Sequence, residues 1–288
     1  IGSEMVALTT LRDDRNRFPA VEQLADLAVD VRAMLGPNTG LIYAADWSEY
    51  FGYHPYDGSG DVFFHMDELW SHPAITAVGI DAYFPLSDWR DGEHLDGQNF
   101  DDIYDANYLA GNVEGGEGYD YFYASDADRD AQIRTPITEC IYRYKDIRNW
   151  WSNEHRGRIG GVEQASTAWV PQSKPIWLTE VGCPAVRFGA NQPNLFSDGQ
   201  SVESDIPYFS DGSRDDLIQR RYLEAIIGYW ADPANNPISV VNGRRMIDTS
   251  ATAVWAWDAR PYPDFPARTD VWSDGENWQT GHWINGRT

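Results

Sequence analysis

Apolar side chains recur every three or four residues in two long segments, and this spacing predicts two amphipathic helices. The first covers residues 19 to 36, with Pro19 at its start and Gly36 at its end, as is common for helix termini. The second covers residues 213 to 232, where Ser213 and Asp216 have the spacing of a capping box. Its apolar face is predicted to consist of Leu217, Tyr222, Ile226, Ile227 and Trp230.

Short apolar runs predict the strands, over residues 40 to 47, 75 to 82, 176 to 180 and 251 to 257, with a strand stub at residues 1 to 3. The run at 176 to 180 lies between Pro175 and Gly182, and it is too short for a helix. It is therefore predicted to be a strand buried on both faces, with Glu180 at its C-terminal end. Within the last run, the strand period of two places Trp255 and Trp257 on one face.

The remaining elements are short or irregular. A short helix is predicted over residues 62 to 70, and the Gly-, Asp- and Tyr-rich segment from 87 to 174 predicts long loops with a helical pattern over residues 127 to 151. Alternating strands and helices indicate an α/β fold with a parallel sheet and right-handed crossovers. No repeat or linker divides the chain, so residues 1 to 288 are predicted to form one domain. The clear strands are fewer than the roughly eight that close a barrel.

Composition excludes some classes of function and favours others. The chain has 45 acidic and 22 basic residues and a net charge of −23, which argues against nucleic acid as a partner. Neither a signal peptide nor an apolar run long enough to cross a membrane is visible, so membrane insertion is not expected. The two cysteines, far apart in sequence, do not form a disulfide framework. The 13 Trp and 16 Tyr are more than a core requires and suit surfaces on which sugar rings stack.

Carboxylates and aromatic side chains lie where the predicted parallel strands end. These residues are Glu4, Asp46, Trp47, Asp81, Tyr83, Glu180, Trp255 and Trp257. Since the C-terminal ends of parallel strands meet at one edge, the side chains are expected to converge there. Two carboxyl groups at one site are what glycoside hydrolysis needs, one as acid and one as nucleophile or base. Glu4, Asp46 and Asp81 are the candidates for the partner of Glu180. The alternatives are ion pairing or capping for the carboxylates and interior packing for the tryptophans.

Other motifs predict no metal and no cofactor. The stretch DADRD at 126 to 130 has the aspartate spacing of a calcium loop, but Ala131 stands where Gly is needed and Ile137 where Glu is needed. The six histidines form no metal-binding pair on one helix face. No phosphate loop or dinucleotide fingerprint is present.

Eight stretches resemble a known family. They are IGSEM, IYAADWSEYFG, DGSGDVFFH, VGIDAYFPLSDWRDG, RYKDIRNWW, WLTEVGCPA, NQPN and WDARPYPDFP. They resemble the glycoside hydrolase TIM-barrel-like domain of the large tail protein of gene transfer agents and related phages. This resemblance implies a (β/α)₈ relative of retaining glycosidases, with the chain covering roughly the end of strand four to strand eight, as part of a longer tail protein. It implies that Glu4 is the acid/base and Glu180 the nucleophile, with Tyr83 bonded to the nucleophile and Trp255 and Trp257 as a stacking floor.

Two main hypotheses follow. The first is a retaining glycoside hydrolase domain that acts on cell-envelope polysaccharide or peptidoglycan glycan, made in the bacterial cytoplasm and carried in a phage-like tail with other tail or baseplate proteins. The second is a catalytically silent structural or glycan-binding baseplate module. It is favoured by the incomplete barrel and by Ser3, because many barrel glycosidases of this clan have Asn at that position. A third hypothesis is a metal-dependent hydrolase that uses Asp46 and Asp81.

Overall fold

The computed structural model describes residues 1–196, 204–255, 264–271 and 275–276. The strands in these ranges are β1 (Ala44–Asp46), β2 (Val78–Asp81), β3 (Tyr121–Phe122), β4 (Thr135–Pro136), β5 (Arg156–Ile159), β6 (Val162–Ser166) and β7 (Ile176–Glu180). The helices are α1 (Val6–Thr9), α2 (Pro19–Leu35), α3 (Asp67–Trp70), α4 (Ala106–Gly111), α5 (Asp126–Asp130), α6 (Ile147–Ser152), α7 (Asp216–Ala231) and α8 (Asp264–Ala267). None of these helices has both the length and the apolar character needed to cross a membrane.

The central layer is a parallel sheet in the order β1, β2, β7. A parallel bridge from Ser3 to Ala44 extends it on one side, and a parallel bridge from Val181 to Val254 extends it on the other. The predicted strand stub therefore pairs with the sheet. Of the last predicted strand, Val254 pairs with it, whereas Ala251 belongs to a 3₁₀ turn (Thr249–Ala251) and Trp257 lies outside the described residues. Within the described residues these strands form an open sheet and not a closed barrel.

The first long helix confirms its sequence prediction. Helix α2 begins at Pro19 and is followed by Gly36, whose φ of 77° is readily adopted only by glycine. Because Val21, Leu24 and Ala28 are buried, this face of the helix belongs to the hydrophobic core.

The second long helix departs from the prediction in two details. Helix α7 begins at Asp216, and its cap is Asp215, whose carboxylate accepts hydrogen bonds from two backbone N–H groups of the first turn. The predicted capping box from Ser213 was therefore wrong, because the aspartate directly before the helix is better placed. Leu217 and Ile227 are exposed, and the buried face instead consists of Ile218, Tyr222, Ala225, Ile226 and Trp230.

The long middle segment was predicted less well. The proposed helix over residues 127 to 151 is interrupted after α5, because Gln132 has a φ of 52° and β4 follows. Strand β4 pairs with β3, and β5 pairs with β6, so two antiparallel hairpins occur where loops were expected. The helix predicted from residue 62 is also shorter: α3 begins at Asp67, because Val62 and Phe63 form bridges to other segments.

Candidate active site

An irregularity in the sheet places three carboxylates side by side. Asp46 pairs with Asp81 across β1 and β2, and Asp81 pairs with Glu180 across β2 and β7. Between Ile80 and Asp81 the register shifts by one residue, so that Thr179 is the extra residue of a β-bulge. Such bulges redirect side chains and are common next to active sites. Without the shift, Thr179 and not Glu180 would lie beside Asp81.

Glu4 reaches the same edge from the chain segment that pairs with β1. Its N–H donates to the carbonyl of Ala44 at 2.9 Å, and the next N–H, of Met5, donates to the hydroxyl of Tyr43 at 2.7 Å. Glu4 itself has a φ of 48°, a left-handed conformation that costs a non-glycine residue free energy and occurs often at functional sites. The surrounding hydrogen bonds therefore hold Glu4 in an unfavourable backbone conformation.

The hydroxyl that fixes this segment belongs to a buried network that sequence analysis did not find. Tyr43 donates to the carboxylate of Glu49 at 3.0 Å, and the hydroxyl of Thr9 donates to the same carboxylate. Burial raises the pKa of Glu49. The one signal in the sequence was an acidic residue within the aromatic stretch that follows Asp46. Its link to Thr9 depends on tertiary contacts and leaves no local pattern.

Glu4, Asp81 and Glu180 form one cluster. Each contributes a carboxylate oxygen, and these oxygens all lie within 4.8 Å of one another. Glu4 is exposed, Glu180 is half-buried and Asp81 is buried, so the cluster extends from the solvent into the edge of the sheet. The structure thus brings together three of the predicted site residues. Carboxylates this close can share a proton, bind a cation or act as an acid and nucleophile pair.

Asp81 is the deepest member of the cluster. Its residue is 0% exposed, and both of its carboxylate oxygens are buried without a hydrogen bond. Burial, reinforced by the negative charges of Glu180, Asp46 and Glu49, raises the pKa of Asp81 to about 7. The Thr179 hydroxyl lies close enough to oppose part of this shift, but neither carboxylate oxygen of Asp81 accepts a hydrogen bond from it. A carboxylate in this environment requires a proton or a cation nearby.

Tyr83 holds Glu180 in place. Its hydroxyl donates to Oε2 of Glu180 at 2.5 Å, and Tyr83 is only 5% exposed. Burial and the bond to Glu180 keep the pKa of Tyr83 well above its usual value, so the phenol stays a donor. The rings of Tyr83 and Phe196 pack in a T-shaped arrangement, with centroids 5.8 Å apart. The predicted contact between Tyr83 and Glu180 is therefore present.

The other predicted residues lie around this cluster. The carboxylate of Asp46 accepts bonds from the backbone N–H and the hydroxyl of Ser48, so it caps the turn after β1. Trp47 is half-buried, with its ring 4.9 Å from that of Tyr144. Neither observation tests the predicted contact with substrate.

Trp255 is 40% exposed and follows the strand segment beside β7. Its N–H donates to the carbonyl of Val181 at 2.9 Å. Its carbonyl oxygen lies so close to Gly182 that a Cβ atom there would be 2.0 Å away, which explains why glycine follows Glu180 and Val181. Trp255 is thus fixed near the end of β7 with a partly exposed ring, whereas Trp257 lies outside the described residues.

Comparison with known proteins adds the family. A search of curated proteins finds no match to this chain. The family model of the GTA TIM-barrel-like domain matches residues 1–266, which include every described member of the carboxylate cluster. The chain therefore belongs to the GTA TIM-barrel-like domain family and is related to gene transfer agent proteins.

Proposed function

We propose that the chain is a retaining glycoside hydrolase domain in which Glu180 is the nucleophile and Glu4 the acid/base. The observation that carries this proposal is the separation of the two side chains, whose nearest carboxylate oxygens lie within 4.8 Å. Retaining enzymes keep their two carboxyl groups about 5–5.5 Å apart, whereas inverting enzymes need roughly 6.5–9.5 Å to admit a water molecule. The short separation supports direct attack by a carboxylate.

The surroundings fit these two roles. Glu180 is half-buried and receives a hydrogen bond from Tyr83, which orients its carboxylate and leaves its other oxygen for attack. Glu4 is exposed, where a leaving sugar and then water can reach it. Asp81 is too deeply buried to contact the sugar directly, so its predicted role in substrate binding is replaced by an electrostatic role next to Glu180.

The reaction proceeds in two displacements. A Glu180 oxygen attacks the anomeric carbon while Glu4 donates its proton to the departing glycosidic oxygen, which gives a glycosyl ester on Glu180 and a free sugar hydroxyl. Glu4, now ionised, takes a proton from water as that water attacks the anomeric carbon. The ester bond breaks, Glu180 leaves as a carboxylate, and the anomeric configuration is retained.

The proposed substrate is a cell-envelope polysaccharide or peptidoglycan glycan, and the proposed location is the tail of a phage-like particle, next to other tail or baseplate proteins. The relation to gene transfer agent proteins supports this setting, because a particle that delivers DNA must pass the cell envelope. The partly exposed ring of Trp255 supports a sugar ligand, since aromatic faces stack on sugar rings. Asp46 and Trp47 remain proposed substrate contacts.

The test is release of reducing ends from purified envelope glycans by the wild type, Glu180→Gln and Glu163→Gln. Glu163 is an exposed glutamate of β6 and serves as the matched control. We expect Glu180→Gln to lose release by at least about a hundredfold and Glu163→Gln to keep it. Circular dichroism and melting temperature show whether each variant is folded.

A second variant separates the two roles. Glu4→Gln is expected to lose most of its activity on glycan but to cleave aryl glycosides with a good leaving group, because such groups depart without a proton. If neither the wild type nor the variants release reducing ends while the wild type still binds glycan, the chain is a silent glycan-binding module and the hydrolase proposal fails.

A further inference from the structure

Glu4, Asp81 and Glu180 place three acidic groups close together. The buried one, Asp81, has no hydrogen-bond donor on its carboxylate. Asp81 has no exposed surface and no hydrogen bond to either carboxylate oxygen. The charged side chains that act on it most strongly, Glu180, Asp46 and Glu49, are all acidic. A buried carboxylate is normally paired with a donor, a positive side chain or a metal ion. The buried oxygens of Asp81 are therefore suited to bind a cation.

The oxygen positions are compatible with a hard divalent cation. Calcium binds six to eight oxygens at about 2.3–2.6 Å, so two of its ligands lie up to about 5 Å apart. The three carboxylate oxygens lie within 4.8 Å of one another, and each group can contribute a second oxygen. Magnesium requires a nearly ideal octahedron with distances of about 2.0–2.1 Å and retains several waters, which suits a buried aspartate less well.

We propose that Glu4, Asp81 and Glu180 bind a hard divalent cation, with Ca²⁺ as the best fit. Glu4 closes the site from the solvent side, and Asp81 supplies the buried ligand. This site differs from the metal site considered from sequence, which paired Asp81 with Asp46. Among the described residues, the acidic side chains close enough to share an ion are those of Glu4, Asp81 and Glu180, and Asp46 is not one of them.

Cation binding changes the site from one that is free to react with a sugar to one that is blocked. When the cation is bound, the oxygens of Glu180 are ligands and do not attack a sugar, so the cation acts as a competitive inhibitor of the proposed hydrolase. This regulation depends on the proposed function, but the cation site does not, because binding is measured without any glycan.

The experiment is calorimetric titration of chelator-treated protein with Ca²⁺ in about 0.15 M salt, which screens weak attraction by the acidic surface. The variants are Asp81→Asn and Asp126→Asn. Asp126 lies in the first turn of α5, in the other aspartate-rich stretch of the chain, and its side chain is exposed. Each variant removes one negative charge. We expect one Ca²⁺ per wild-type chain, at least about tenfold weaker binding by Asp81→Asn, and less than about a twofold change for Asp126→Asn.

Terbium luminescence excited through tryptophan provides a second readout of the same ion site. If Asp81→Asn is not folded by circular dichroism, Glu180→Gln replaces it with the same expected loss of binding. The proposal is overturned if the wild type takes up no Ca²⁺ at millimolar concentration, or if Asp81→Asn binds as tightly as the wild type. A protein that binds Ca²⁺ but hydrolyses no glycan in EDTA, where the cation is removed, refutes the hydrolase alone. A protein that hydrolyses glycan but binds no Ca²⁺ refutes the cation site alone.

Discussion

Replacing Asp81 with asparagine should stabilise the protein at high pH, because the aspartate is ionised there in a site that disfavours its charge. The side chain has a pKa of about 7 in the folded protein against 3.8 as its usual value. Below pH 3.8 both states carry the proton and the residue costs nothing. As the pH rises from 3.8 towards 7, the unfolded chain loses the proton first, so the free energy of unfolding falls.

The size of this effect follows from the pKa difference. At about 1.4 kcal/mol per pKa unit, the difference between 3.8 and about 7 corresponds to at most about 4.5 kcal/mol above pH 7. Solvent that enters beside the exposed Glu4 screens the charges, so we expect roughly 1–3 kcal/mol between about pH 5 and pH 8. Asparagine has the same shape and does not ionise, and its advantage over Asp81 should therefore grow over this pH range.

The assay is urea unfolding at about pH 5, 6.5 and 8 in EDTA, followed by tryptophan fluorescence, with Asp126→Asn as the control. EDTA removes any bound cation, which would otherwise stabilise the wild type alone. An increase in the midpoint without a change in slope reports stability. The reasoning is refuted if the wild type and Asp81→Asn differ equally at all three pH values, or if the variant is less stable at pH 8.

Three further changes test other parts of the structure. Burial lowers the pKa of Lys145 from 10.5 to about 7, so the unfolding free energy of the wild type should rise as the pH rises from 7 towards 10.5. Lys145→Met should lack this rise, and parallel pH curves for the two proteins would contradict the assignment. Gly182→Ala should lower stability by about 1–3 kcal/mol in urea unfolding, because the new Cβ meets the carbonyl of Trp255, and an unchanged midpoint would contradict it. Tyr83→Phe should lower kcat on glycan by about tenfold with little change in KM, since Glu180 loses its orienting bond. A change in KM alone would argue for a role of Tyr83 in binding only.

The parts of the fold that were predictable follow from local periodicity. Helix α2 has an uninterrupted apolar stripe and clear ends, so its bounds, Pro19–Leu35, match the predicted helix. The strands of the sheet are short apolar runs between breakers, and Ile176–Glu180 was predicted with the same bounds. This strand was predicted to be buried on both faces, but only Ile176 and Leu178 on one face are buried. Trp177 and Thr179 on the other face are half-buried. Periodicity identifies the strand but not what covers each face.

The middle segment was harder because its structure depends on contacts between distant residues. The carboxylate of Asp88 receives hydrogen bonds from Tyr123, Arg134 and Arg90, which join three parts of the insertion. Asp67 likewise bonds His155, which is far away in sequence and also buried. Polar residues in such a network resemble loop residues when each is considered alone. Their burial is favourable only once the partners are in place.

The candidate site has one feature that local sequence patterns predict and one that they do not. The strand ends of Glu4, Asp81 and Glu180 were predictable, since parallel strands place their C-terminal ends at one edge. The pairing of Asp81 with Glu180 was not predictable, because it depends on the extra residue Thr179 in β7. A regular register would pair Asp81 with Thr179 and move Glu180 one residue further along the strand. The bulge therefore converts separate strand-end carboxylates into a cluster whose buried member needs a proton or a cation. The same shift places Glu180 within reach of Tyr83 and Glu4, so one local irregularity underlies both the proposed chemistry and the proposed ion site.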